Sequence, residues 1–102
     1  MANKEVQFKD GNDNIFPIIA QRTIASNTNL NDLNTFGFYK CENSTVSGTL
    51  TNKPNISSGF PMFVLPFSSI GAIQIIFGTT AIYLRSKSSS GWATTWRAVS
   101  LN

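Results

Sequence analysis

The chain of 102 residues holds one domain's worth of sequence, and a domain of that size buries roughly two-thirds of its unfolded surface around a single small core. Charged residues are only 13% of it, about half the usual share, and Ser, Thr and Asn supply polarity instead, which suits β-surface and loops better than helices. The net charge of +3 is eight scattered Lys and Arg, with no phosphate-tracking stripe, against five Asp and Glu; with no His and one Cys, an intrachain disulfide and a Cys–His nucleophile are excluded, and a one-chain tetrahedral zinc site is not expected.

Residues 4–20, "KEVQFKDGNDNIFPIIA", predict strand, turn and strand. Pro17 offers no donor, so the second strand is expected at an edge. Such a hairpin is marginal alone and needs the rest of the domain, or sister chains, to pack on. Residues 21–35 read as a linker ending in a short helical turn, capped by Asn29, with Leu30 and Leu33 on one face. From Thr35 onward the chain reads as consecutive β-elements. "FGFYKCE" is a strand with a bulge at Gly37, "TVSGTLT" a weak strand, and "FPMFVLPF" an apolar strand fenced by Pro61 and Pro66. "GAIQIIFG" places Ile73, Ile75 and Phe77 on one side, and "TAIYLRS" sets Ile82 and Leu84 opposite Tyr83 and Arg85. "SKSSSG" is a hairpin loop and "GWATTWRAV" a closing strand. Strands about every ten residues, with turn formers between them, argue a mainly β domain. The expected division is residues 1–22 as an N-terminal β-hairpin and assembly segment, and 23–102 as the main domain.

"MANKEVQFKD" lacks the apolar stretch of a signal peptide, and no apolar run is long enough to span a bilayer. Synthesis in the cytoplasm without membrane insertion is the expectation. No enzymatic constellation stands out. The acidic residues are Glu5, Asp10, Asp13, Asp32 and Glu42, and the turn pair Asp10 and Asp13 reads as backbone-bonding. "DGNDN" starts like a calcium loop but continues with Ile15 and Gln21 where Gly and Glu belong, so no metal site is assigned and no cofactor is implied. What remains is aromatic and polar surface. Tyr83 and Arg85 share one strand face, read here as solvated, and Trp92 and Trp96 share a face if the last strand is regular. A ring beside a guanidinium can stack on a sugar and bond its hydroxyls, making Tyr83, Arg85 and Trp92 the candidate ligand-binding residues. The plainer alternative puts the tryptophans in a core or an interface and leaves Tyr83 and Arg85 on an ordinary solvated strand.

In order along the chain, "NLNDLNTFGFYKC", "TLTNKP", an apolar strand, "AIQIIF", "IYLRS" and "GWATTWRAVS" resemble the knob domain of pyocin and bacteriophage tail fibres. The parts fall at Asp32–Leu33, Gly37–Tyr39, Asn52–Pro54, Gln74, Tyr83–Arg85 and Trp92–Arg97, and span about residues 29–99. The closing spacing, W-x-x-x-W, is one residue longer than the family's W-x-x-W. The resemblance implies a small antiparallel β knob, sandwich-like, assembled as a homotrimer with other virion proteins. It implies a non-enzymatic fibre tip, tail or baseplate, that recognises a host cell-surface polysaccharide, with the virion as its location. No nucleic-acid partner is expected. The alternative is a purely structural virion component, such as a head fibre or decoration protein.

Overall fold

Two-residue alternation of side chains, strand after strand, builds one large sheet. The computed structural model describes residues 21–101, together with the backbone pairing of 5–9 and 15–19. The elements are β1 (Glu5–Lys9), β2 (Ile15–Ile19), β3 (Arg22–Thr23), a 3-10 turn (Leu30–Asp32), β4 (Gly37–Cys41) and α1 (Ser44–Ser47), then β5 (Phe60–Pro66), β6 (Ala72–Phe77), β7 (Ala81–Ser88), β8 (Gly91–Trp92) and β9 (Arg97–Ser100). The chain is mainly β, as the strand spacing predicts. β1 and β2 pair antiparallel in a two-stranded sheet with Pro17 opposite Gln7. The "DGNDN" turn between them, including the calcium-like positions Asp10, Asn12 and Asn14, lies outside the described residues.

The remaining seven strands form a mixed sheet in the order β3-β4-β5-β6-β7-β8, with β9 also on β7. Only β3 with β4 is parallel; the pairs from β4 to β9 are antiparallel. Phe60, Met62 and Val64 on β5, Tyr39 and Cys41 on β4, and Ala72 and Ile76 on β6 point to the same buried side. The segments between β3 and β4 and between β4 and β5 fold over that side and contribute Ile24, Leu30, Leu50 and Ile56 to the core.

Two covering turns are set by asparagine. Asn29 caps the 3-10 turn as expected, its side chain accepting from Asn31 N at 2.9 Å. "TVSGTLT" departs from the expected strand, because Asn43 accepts from Val46 N at 2.9 Å and starts one helical turn, α1. The cap bond and the burial of Ser47 and Leu50 outweigh the β preference of Thr and Val. The serine run does hold a hairpin turn, but a shorter one than expected: β7 runs on through Ser86, Lys87 and Ser88, only Ser89 and Ser90 turn, and the chain re-pairs at Gly91, whose φ of +100° suits glycine.

The last segment is two short strands instead of one. β8 pairs with the C-terminal end of β7 and β9 with its N-terminal half, and residues 93–96 leave the sheet between them. Trp92 and Trp96 therefore approach the sheet from the two sides of this excursion.

Candidate functional site

Arg85 lies in the middle of β7 directly opposite Gln74 on β6. Tyr83 and Arg85 do share a face, but it is the core side. Arg85 is only 3% exposed and Gln74 is fully buried, while Ile82 and Leu84 turn outward with Ile73, Ile75 and Phe77. The expected solvated patch is thus corrected. These strands are apolar on one side and carry a few polar residues on the other, and the polar residues are inside because they have partners there.

The partners form a connected chain. Gln74 Nε2 donates to the carbonyl oxygens of Leu30 at 2.7 Å and Leu33 at 3.0 Å, tying the 3-10 turn to the sheet. Gln74 Oε1 accepts from Arg85 Nε at 2.9 Å, and Arg85 Nη1 donates to the Ala93 carbonyl at 3.2 Å. No carboxylate pairs with this guanidinium; the ion pair among the described residues joins Lys40 to Glu42 at 3.8 Å. Two indole faces stand in its place. The guanidinium carbon lies 4.9 Å from the centre of the Trp92 ring and 4.6 Å from that of Trp96. A cation over the negative face of an indole is stabilised electrostatically, more strongly when water is excluded. Arg85 Nη2 is buried without a hydrogen-bond partner, and the ring faces are its compensation. Burial pulls the guanidinium down to about 10, so it keeps its charge at neutral pH.

Each indole also fastens a covering loop. Trp92 Nε1 donates to the Asn31 carbonyl at 3.1 Å and Asn34 Oδ1 at 3.0 Å, and Trp96 Nε1 donates to the Asn52 carbonyl at 3.0 Å. Asn52 in turn donates through Nδ2 to Asn29 Oδ1 at 2.8 Å. Two tryptophans and an arginine at the end of the chain thereby lock both loops onto the sheet. No protein-family model, curated protein or solved structure gave a significant match to this chain. The arrangement must be read from its own chemistry.

Tyr83 is separate from the Trp–Arg–Trp stack. Half-buried against the core, it lines a cavity of about 220 Å³ with Asn55, Ser57, Ser58, Thr79 and Thr80. The cavity sits where the β6–β7 hairpin meets the segment before β5. None of the described residues hydrogen-bonds the Tyr83 hydroxyl, and the atom is not among the buried unpartnered ones. A phenol surrounded by hydroxyls and one carboxamide offers donors and acceptors without net charge. Of the three candidate residues, then, Arg85 and Trp92 come together in an internal stack, and Tyr83 faces a different, polar hollow. The hollow itself escapes sequence reasoning, since its walls come from segments about 25 residues apart. The signal for Gln74 was present: a lone amide in "AIQIIF" opposite a lone cation in "IYLRS".

Cys41 is a buried free thiol whose Sγ lies 3.5 Å from the Asn43 carbonyl, and burial raises its pKa. Among the described residues no group of three or more His, Cys, Asp and Glu side chains gathers to hold a metal.

Proposed function

We propose that the chain is a non-enzymatic knob module of a bacteriophage or prophage fibre, serving attachment of the virion to a host-surface glycan. The observation that carries the binding part is the Tyr83 hollow, lined with Asn55, Ser57, Ser58, Thr79 and Thr80, in which no described residue bonds the phenol hydroxyl. Neutral hydroxyl and amide groups of this kind match the hydroxyls of a saccharide. The order of motifs from Asp32 to Arg97 supports the fibre-knob part, as does the way Gln74, Arg85 and the two tryptophans close one small domain.

A second reading, a purely structural virion component, draws support from that same closure. Arg85 and Trp92, two of the three candidate binding residues, spend their polar groups inside the protein. A glycan array separates the two. Binding by the parent chain that is reduced in Tyr83→Phe, with an unchanged melting temperature, supports the attachment reading. Absence of binding to host polysaccharide by a well-folded chain leaves the structural reading.

A further inference from the structure

β7 loses its outer neighbour at one place. β9 pairs with Ala81–Leu84 and β8 with Lys87 and Ser88, and residues 93–96 leave the sheet between them, so Arg85 and Ser86 border a gap. Ala93 N donates to the Ser86 carbonyl at 3.0 Å, and Arg85 Nη1 donates to the Ala93 carbonyl at 3.2 Å, which fastens the excursion to β7. A notch opens there. Its more enclosed part, about 140 Å³, includes Ile73 and Leu84, and a wider part of about 590 Å³ adds Thr94. Both parts share Ser86, Ala93, Thr95 and Arg97. Arg97 is exposed and pairs directly with Leu84, so its side chain stands on the same face as Leu84 and Ser86. No described residue hydrogen-bonds its guanidinium or forms an ion pair with it. Arg85 borders the enclosed part, is 3% exposed, and leaves Nη2 without a hydrogen-bond partner. Two arginines therefore line one notch with no carboxylate beside them. Among residues 21–101 the acids are Asp32 and Glu42; neither lines the notch, and Glu42 pairs with Lys40.

We propose that this notch binds an oxyanion, the carboxylate or phosphate group of a small polyhydroxyl ligand. Arg97 offers the planar donor fork from which such a group accepts two bonds at once. Ser86, Thr94 and Thr95 carry hydroxyls that donate to the same group or to ligand hydroxyls beside it. The buried charge of Arg85 adds a field that no neighbouring acid cancels, and a concave site with apolar walls at Ile73 and Leu84 focuses that field. An uncharged ligand gains less from the two guanidiniums, and a cation is repelled by them. The notch is distinct from the Tyr83 hollow, which takes its tyrosine from the core side of β7 and has no charged residue in its lining.

The test is titration of the full chain with sodium glucuronate, inorganic phosphate and glucose, followed by NMR at Arg97 Nε–H and at the amides of Ser86, Thr94 and Thr95. The expected result is a set of shifts at these groups that saturates with glucuronate, phosphate or both at a Kd of roughly 1 mM, with glucose about tenfold weaker. Tighter binding of glucuronate assigns the carboxylate of an acidic sugar, and tighter binding of phosphate assigns a phosphate group. Arg97→Gln should weaken the anion about tenfold and leave the melting temperature nearly unchanged, because the side chain is exposed. Arg97→Lys should recover part of the affinity. Added sodium chloride should weaken anion binding to the parent chain, a reading that needs no variant to fold. The inference is overturned if neither anion gives saturating shifts, if glucose binds as tightly as the anions, if binding ignores salt, or if a folded Arg97→Gln chain binds equally well. Glycan binding at Tyr83 is read on the array with Tyr83→Phe, so either proposal can fail without the other.

Discussion

Arg85 and Gln74 face each other across β7 and β6 and share a buried hydrogen bond of 2.9 Å, with a guanidinium that has no carboxylate partner. The amide is the link that makes this tolerable. Its oxygen takes the charge-assisted bond, and its nitrogen delivers two more bonds to the carbonyls of the 3-10 turn. Gln74→Leu keeps the volume and removes all three. It leaves Arg85 Nε and the Leu33 carbonyl without these partners, while the Leu30 carbonyl keeps its bond from Leu33 N, and the expected loss is about 2–4 kcal/mol in urea unfolding. A loss below about 1 kcal/mol would mean that water reaches these groups.

The stack itself is testable as a coupling. Trp96→Ala removes a half-buried ring and the bond to Asn52, and should cost about 2–4 kcal/mol. Trp92→Phe keeps an aromatic face and loses only the indole donor, so about 1 kcal/mol is expected. A double-mutant cycle between Arg85→Met and Trp96→Leu should return a coupling near 1–2 kcal/mol, the range for a desolvated cation over an indole. Additive losses would show that the ring packs beside Arg85 without stabilising its charge.

Much of the fold is legible in the sequence, and the reason is local chemistry. Pro61 and Pro66 fence a strand, Asn29 caps a turn, and Ser89, Ser90 and Gly91 make a hairpin, each by a preference that needs no distant partner. Asn43 carries the same kind of signal for α1, though Thr45 and Val46 mask it with β preference. The side of the sheet that meets the core is not legible from alternation alone. In "AIQIIF" and "IYLRS" polarity points Gln74 and Arg85 outward, whereas their hydrogen bonds and the indoles draw them inward. The same inversion explains the candidate site. Tyr83 and Arg85 share a face as period two demands, but that face is roofed by loops whose placement depends on Trp92, Trp96 and Asn52.

Tyr83→Ala separates packing from binding less cleanly than a solvated residue would. The ring rests on the core cluster, so alanine should lower stability by about 1–3 kcal/mol, measured by thermal or urea unfolding. Tyr83→Phe removes only the hydroxyl, which has no partner among the described residues, and should leave the melting temperature nearly unchanged. A large loss in the phenylalanine variant would show that the hydroxyl is committed to the fold.

Asn29 joins two covering loops with one oxygen, accepting from Asn31 N at 2.9 Å and from Asn52 Nδ2 at 2.8 Å. Asn29→Ala should therefore cost more than a simple cap, about 1–2 kcal/mol, and should speed hydrogen exchange at Asn31 and nearby turn amides. Equal exchange in the variant would show that Gln74 and Trp92 hold the turn without the cap.

Cys41 gives a pH dependence with a definite sign. Burial raises the folded thiol's pKa above its ordinary value, so the unfolded chain gives up its proton first as pH rises. The folded state then binds more protons than the unfolded state, and stability falls with increasing pH. The contribution is fully present below the ordinary thiol pKa and is lost as pH climbs through the raised one. Cys41→Ala should flatten that alkaline decline in a series of urea unfolding curves, at the cost of a small cavity beside Phe60 and Tyr39. In the parent chain a thiol reagent should react slowly at neutral pH and at the normal rate in denaturant. Rapid labelling of the folded chain would mean that the strand carrying Cys41 opens locally, and the alkaline decline would then have to come from other groups.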